Sequence, residues 1–195
     1  MPQQRPSTQR QQSAGTQGPR IYILDEENYK HILSIIESMT VVMERSPSAF
    51  ATMGEEDIRQ HYLVQLNGQY ESATAETFNY QGKTDILIRA GARNIFIAEC
   101  KFWRGAKSLT EAIDQLLSYL TWRDTKAALI LFNRNKDFSS VLATARTTID
   151  QHPHKKRGPE IQSETRWLYV FGNPTDHSRE LFLTVMVFDV PMTNS

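Results

Sequence analysis

The sequence predicts an α/β domain in which helices flank a mixed β-sheet. Apolar residues recur at helical spacing in the first third of the chain. The middle third is rich in β-branched and aromatic residues, which favour strands. A helix, a strand, a second helix and two final strands follow, an order that fits an α/β fold. The length of 195 residues suits one domain.

Residues 1–20 are predicted to form a disordered tail, and residues 21–195 a single domain. The tail is rich in Gln, Pro, Ser and Gly, which bury too little apolar surface to offset the entropy of ordering. The chain has no apolar run of membrane-spanning length and no signal-peptide pattern, and its single cysteine excludes an internal disulfide framework. The cytoplasm is therefore the expected compartment.

The charges balance, with 22 Lys and Arg against 22 Asp and Glu. The tail carries three arginines and no acidic residue, so the predicted domain is slightly acidic. Proteins that bind nucleic acid by general neutralisation of phosphates are usually basic. Any contact of this chain with nucleic acid must therefore be confined to a small part of its surface.

Two helices are predicted before the first strand, over residues 26–45 and 55–67. Their apolar residues recur three or four positions apart, as on one face of a helix. These residues are Ile32, Ile35, Ile36, Met39, Val42 and Met43 in the first helix, and Ile58, Tyr62 and Leu66 in the second. Gly68 stands where a C-terminal cap is expected.

Three consecutive strands are predicted to form a meander over residues 77–80, 84–90 and 94–103. The residues 108–111, Ser-Leu-Thr-Glu, have the pattern of a capping box and predict a helix that ends near Trp122. The other predicted elements are a strand at 127–132, a helix at 137–151, a basic loop at 152–158, and strands near 167–171 and 181–190.

Glu99 and Lys101 place a carboxylate and an ammonium group two residues apart. The same spacing recurs at residues 124–126, so the spacing alone carries little information. Glu99 and Lys101 differ because they lie in a predicted strand, on the face that also carries Ile95 and Ile97. Charged groups at the end of an apolar face are costly unless they are paired or bind a metal.

Asp85 is expected to lie beside Glu99, because a tight meander brings the start of one strand next to the end of the following strand. Two neighbouring carboxylates repel each other unless a cation lies between them. Carboxylate oxygens select a hard ion such as Mg²⁺ or Mn²⁺. With Lys101 available to orient or deprotonate water, these groups suit phosphodiester hydrolysis.

At these residues the chain resembles the PD-(D/E)XK nuclease superfamily, over about residues 50–135. The resemblance rests on the segments GKTDI and AECKFW, in which Thr84 replaces the proline that names the motif. Gln115 and Tyr119 match the Gln-x-x-x-Tyr motif of the RecB-like branch. The resemblance implies a restriction-endonuclease-like core, and a metal-dependent nuclease acting on DNA more readily than on RNA.

The resemblance also implies roles for the residues of the site. Asp85 and Glu99 would bind Mg²⁺ or Mn²⁺ together with the backbone carbonyl of Cys100. Lys101 would activate or position water, and Gln115 would align the lysine or the phosphate.

A glutamate on the preceding helix completes this pattern, and three residues compete for the position. Glu55 shares the inward helix face of Ile58 and Tyr62, which favours it. Glu56 and Glu76 remain alternatives.

Further residues are predicted to contact nucleic acid. They are Tyr119 on the helix that follows the meander, Arg104 and Lys107 just before that helix, and Lys155 and Lys156 in the basic loop. By resemblance, a homodimer and a role in a larger defence or repair assembly are expected. The rival functions are a catalytically silent module that binds nucleic acid or protein, and an RNA-directed nuclease.

Overall fold

The computed structural model describes residues 18–70, 73–79, 82–90, 93–121 and 123–190. Side chains are described for residues 26–70, 85–89, 94, 96–121 and 123–190. Residues 1–17 of the predicted tail lie outside these ranges. The described part contains no helix that is both long and apolar enough to cross a membrane.

Five helices are described. They are α1 (Gly18–Arg45), α2 (Pro47–Phe50), α3 (Glu55–Asn67), α4 (Ala106–Tyr119) and α5 (Phe138–Asp150). The predicted bounds of α3 are confirmed, whereas α1 begins eight residues before its predicted start.

Seven strands are described in one mixed sheet. They are β1 (Ala73–Asn79), β2 (Gly82–Ala90), β3 (Arg93–Phe102), β4 (Lys126–Asn133), β5 (Lys155–Ile161), β6 (Arg166–Gly172) and β7 (Glu180–Asp189). Their order across the sheet is β1-β2-β3-β4-β7-β6-β5. β3, β4 and β7 are parallel neighbours at the centre, and the pairs on either side are antiparallel.

Helices cover both faces of the sheet, which confirms the predicted α/β class. On one face, α1 and α3 pack their apolar stripes on the sheet, with Ile36 and Tyr62 fully buried. On the other face, α4 and α5 bury Leu116 and Ala145 against the sheet. β4 is buried on both faces because it lies between both helical layers, which explains its continuous apolar run.

The side chain of Tyr29 links α1 to the centre of the sheet by hydrogen bonds. Its hydroxyl donates a hydrogen bond to the carbonyl of Ala127 at 2.7 Å and lies 2.9 Å from Thr184 Oγ1. Burial raises the pKa of this phenol far above its usual value, so it remains a neutral donor.

The predicted basic loop at residues 152–158 is wrong in part, because residues from Lys155 onward form the edge strand β5. β5 pairs with β6 along one side only, and most of its side chains are exposed. An exposed edge strand needs neither apolar alternation nor β-branched residues, so its sequence lacks the signals of a strand.

The predicted capping box of the fourth helix is also wrong. α4 begins at Ala106, and Ser108 therefore lies inside its first turn. Gly105 occupies the N-cap position with φ 101°, a conformation that favours glycine over residues with a side chain. The chain thus turns sharply between β3 and α4.

Candidate active site

The candidate active site lies where β2 and β3 separate. The last described pair toward this end of the two strands joins Ile86 and Ala98. Beyond it, β2 extends back to Gly82 beside β1, and β3 extends on to Phe102 beside β4. The continued register would place residues 85 and 99 opposite each other, as the meander predicted.

Beyond the point of separation, the N–H groups of β3 that face β2 have no described partner on that strand. Two carboxylates accept hydrogen bonds from them instead. Asp85 Oδ2 accepts a hydrogen bond from the N–H of Cys100 at 2.8 Å. Glu55 Oε2 accepts one from the N–H of Phe102 at 2.7 Å. Buried backbone donors require acceptors, so these acids stabilise the open end of the sheet in addition to any chemical role.

Glu99 is a carboxylate inside the protein core, with a side chain that is 0% exposed. Apart from its contact with Lys101, neither oxygen accepts a hydrogen bond within the described part of the chain. Burial, and then the charge of Asp85, raise the pKa of Glu99 to about 7. An acid held this way is costly to ionise, so its position calls for a functional explanation.

Lys101 lies between two of the carboxylates. Its Nζ is 2.9 Å from Glu99 Oε1 and 3.7 Å from Glu55 Oε1. Burial alone would lower the pKa of Lys101, but the contact with Glu99 and the nearby negative charges outweigh burial and raise it. The ammonium group therefore remains protonated at neutral pH in this form of the site.

Arg59 belongs to the site and was missed in the sequence. Its Nη1 donates to Asp85 Oδ1 at 2.7 Å, and the arginine is only 7% exposed. The sequence held one usable signal: Arg59 follows Glu55 by four residues and precedes Tyr62 by three, so it falls on the buried face of α3. A charged residue at such a position needs a partner.

Of the three competing glutamates, the structure brings Glu55 to the site. It lies in the first turn of α3, and the N–H of Gly54 just before the helix donates to Asp57 at 2.8 Å. Glu56 is exposed and lies 3.6 Å from Arg59. The side chain of Glu76, on β1, lies outside the described residues.

The backbone and the thiol of Cys100 face different surroundings. An extended residue directs its N–H and C=O to the same side of the strand, so the carbonyl faces the gap in which Asp85 lies. The thiol is buried in the core shared with α1 and α3, and burial raises its pKa well above the usual value. The thiol is therefore inert, and only the carbonyl is available as a ligand.

The donor atoms suit a hard divalent cation, but two contacts compete with it. Three carboxylates and a carbonyl are the oxygen ligands that Mg²⁺ and Mn²⁺ prefer, and both oxygens of Glu99 lack a hydrogen-bond donor other than Lys101. However, both oxygens of Asp85 already accept hydrogen bonds, from Arg59 and Cys100. Within the described residues, no three His, Cys, Asp or Glu side chains are grouped closely enough to hold a metal ion.

The predicted residues of α4 lie on the layer that covers the Glu99 face of the sheet. Gln115 and Tyr119 are half-buried, and neither side chain forms a described hydrogen bond with Asp85, Glu99 or Lys101. Arg104 and Lys107 lie exposed at the β3–α4 turn, and Lys107 is 3.8 Å from Glu111.

The predicted contacts at Lys155 and Lys156 are remote from the site. Both lie on β5, four positions from β3 in the sheet, which is about 19 Å at the usual strand spacing. Lys155 pairs with Asp150 at 3.0 Å, and Lys156 lies 3.7 Å from Glu180. Their distance and their acidic partners separate these lysines from the carboxylate site.

Comparison with known proteins identifies no relative: no family model matches the chain, and no curated protein or solved structure matches it.

Proposed function

We propose that this protein is a divalent-metal-dependent nuclease that hydrolyses phosphodiester bonds, in DNA more readily than in RNA. The observation that carries the proposal is the buried carboxylate of Glu99, which contacts Lys101 and receives no other hydrogen bond within the described residues. A protein rarely keeps an acid in such a position without a function for it. The restriction-endonuclease-like core and the possible roles of Mg²⁺ or Mn²⁺ belong to this proposal.

Each acid of the site would have a distinct task. Asp85 and Glu99, with the carbonyl of Cys100, would hold the ion, which when bound supplies Lewis-acid stabilisation of the phosphate and of the attacking water. Glu55 fixes the end of β3 through the N–H of Phe102 and lies 3.7 Å from Lys101 Nζ.

Lys101 would position the attacking water or the phosphate. Its Nζ lies 2.9 Å from Glu99 Oε1, beside the proposed metal ligands, from where it would donate a hydrogen bond to the water or to a phosphate oxygen. In the reaction, an oxygen–phosphorus bond forms to water as the bond from phosphorus to a sugar oxygen breaks. The water releases a proton to solvent, and the departing sugar oxygen takes one up from solvent. Gln115 would align the phosphate from α4.

The experiment measures cleavage of supercoiled plasmid, linear duplex, single-stranded DNA and RNA with Mg²⁺ or Mn²⁺. Wild type is compared with Lys101→Ala and with Lys30→Ala, which removes an exposed lysine from α1. We expect metal-dependent cleavage that Lys101→Ala abolishes and Lys30→Ala retains. Equal cleavage by wild type and Lys101→Ala would refute the catalytic assignment, and the four substrates separate a deoxyribonuclease from a ribonuclease.

The pairing of Arg59 with Asp85 favours a second candidate, a catalytically silent module with the same architecture. The guanidinium already supplies the positive charge that a metal would bring to this carboxylate. A silent module predicts no heat of Mn²⁺ binding in calorimetry and no cleavage of any substrate by a folded wild type. A homodimer and a larger defence or repair assembly remain predictions for either candidate.

A further inference from the structure

Among the side chains that the structure describes, positive charge without an acidic partner is concentrated at one edge of the sheet. Most basic side chains that the structure describes lie within 4 Å of a carboxylate, as Arg166 does with Glu37 and Arg157 with Glu180. Arg89 and Arg123 make further contacts and are set aside; the remaining basic side chains without a described acidic partner are Arg45, Arg104, Arg134, Lys136 and Arg146. Because the chain as a whole is neutral, the position of this small set decides where a polyanion would be attracted.

Four of the five lie at the edge of the sheet where the parallel strands β3, β4 and β7 end. Arg104 follows β3, and Arg134 and Lys136 follow β4. The N–H of Trp103 donates to the carbonyl of Phe132 at 2.9 Å, which keeps these two connections side by side.

Arg45 reaches the same edge from α1. The preceding residue, Glu44, accepts a hydrogen bond from the N–H of Asp189, the last residue of β7, at 3.1 Å. The fifth residue of the set, Arg146, lies instead on α5 over the ring of Trp167. We call Arg45, Arg104, Arg134 and Lys136 the carboxyl-edge strip.

Three members of the strip are exposed, and the fourth is fixed beside the candidate site. Arg45, Arg104 and Lys136 extend into solvent. Arg134 is half-buried: it stacks 4.1 Å over the ring of Phe102 and donates to the carbonyls of the α2–α3 connection, at Phe50 and Met53.

Three acidic residues in the segments that adjoin the strip are engaged in other contacts. Glu111 lies 3.8 Å from Lys107, Asp137 accepts the N–H of Ser140, and Asp189 accepts a hydrogen bond from the side chain of Asn133. Within the described residues no member of the strip forms an ion pair with a carboxylate, and Arg104 follows Lys101 by three residues.

We propose that the carboxyl-edge strip binds the phosphodiester backbone of nucleic acid and delivers it to the Glu99–Lys101 site. The proposal rests on the proposed nuclease function, because a neighbouring phosphodiesterase site explains why unpaired charge gathers at this edge. Exposed Arg and Lys side chains contact backbone phosphates without reading bases, so the strip would bind independently of sequence. Arg104 and Lys136 would contact the phosphates directly. Arg134 is half-buried, so it would add positive charge beneath them, and its hydrogen bonds hold the chain that leads into α3.

The test measures binding of a labelled duplex of arbitrary sequence, and of an RNA of equal length, by fluorescence anisotropy across a salt series. The test variant is Arg104→Gln/Lys136→Gln. The control is Lys30→Gln/Arg157→Gln, which removes the same two charge types from exposed positions on α1 and β5. Measurements are made in EDTA, and again with Mg²⁺ in the Lys101→Ala background so that binding is seen without cleavage.

We expect the test variant to bind about 25-fold more weakly than wild type near 0.15 M salt, from about fivefold for each of the two lost phosphate contacts. The slope of log K against log salt should fall in magnitude by about 2. The control should bind like wild type, and urea unfolding should show both variants folded. Preference for duplex or RNA identifies which source of backbone the strip accepts.

Three results would overturn the strip: unchanged binding by the test variant, an equal loss in test and control, or no binding of either nucleic acid by wild type at low salt. Capture of an acidic protein without nucleic-acid binding falls under the last of these. The nuclease proposal is judged separately. If the test variant still cleaves with an unchanged KM, the proposal for the strip is refuted and the nuclease proposal stands. If wild type binds nucleic acid through the strip but cleaves no substrate, the nuclease proposal is refuted and the proposal for the strip stands.

Discussion

Replacing Glu99 by glutamine should stabilise the protein at alkaline pH and remove part of its pH dependence. Burial and the charge of Asp85 raise the pKa of Glu99 from 4.5 to about 7. The folded protein therefore holds this proton more tightly than the unfolded chain does. The stability that the protonated acid contributes is fully present below about pH 4.5 and is lost as the pH rises through about 7.

The size of the effect follows from that shift. At about 1.4 kcal/mol per pKa unit, ionised Glu99 costs the folded state about 3 kcal/mol above pH 7. Glutamine has nearly the same shape and carries no charge at any pH. The free energy of unfolding of Glu99→Gln, minus that of wild type, should therefore increase by about 3 kcal/mol between pH 4.5 and pH 8.

Urea unfolding at pH 4.5, 5.5, 6.5 and 8, with EDTA present to remove divalent ions, measures this difference directly. Glu27→Gln is the matched control, because Glu27 is an exposed carboxylate on α1. Other groups titrate over the same range, but they do so in every variant and cancel in the difference. The account of Glu99 as a buried acid with a raised pKa would be refuted if the difference in free energy of unfolding between Glu99→Gln and wild type stays constant with pH. It would also be refuted if Glu27→Gln shows the same dependence on pH.

Further predictions concern the metal, the arginine and the anchor of α1. Mn²⁺ at millimolar concentration should raise the melting temperature of wild type and leave Asp85→Asn unchanged; equal shifts would place the ion elsewhere. Arg59→Met should lower the free energy of unfolding by about 2 kcal/mol at pH 7, because it leaves the half-buried carboxylate of Asp85 with the N–H of Cys100 as its remaining described donor, and Mn²⁺ should recover part of the loss. A variant as stable as wild type would contradict that pairing. Tyr29→Phe should cost about 1–2 kcal/mol in urea unfolding, since the carbonyl of Ala127 loses its donor, and no loss would mean that water replaces the hydroxyl.

The local parts of the site could be predicted from the sequence because they depend on strand geometry. Alternation along β3 places Glu99 and Lys101 on one face, and a tight meander is enough to bring Asp85 opposite. The strands β2 and β4 could be predicted for the same reason. A strand that is buried on one face alternates apolar and polar residues, and a strand that is buried on both faces is apolar throughout.

The remainder depends on packing between distant segments. Arg59 contacts Asp85 only because α3 lies across the open end of β2 and β3, and no local pattern determines that placement. β5 carries charged residues along a free edge, so its composition resembles that of a loop. The start of α4 depends on one glycine, Gly105, and not on the Ser and Thr residues that usually mark a helix N-terminus.

The separation of β2 from β3 has a consequence for how related sequences would diverge. Asp85 and Glu55 each accept a backbone N–H at the open end of the sheet, so selection for a stable fold would preserve both acids even in a lineage that had lost catalysis. The carboxylate of Glu99 accepts no backbone N–H within the described residues and makes the fold harder to maintain. Drift would therefore remove Glu99 first, and its retention across a lineage would be a stronger sign of continuing activity than the retention of Asp85.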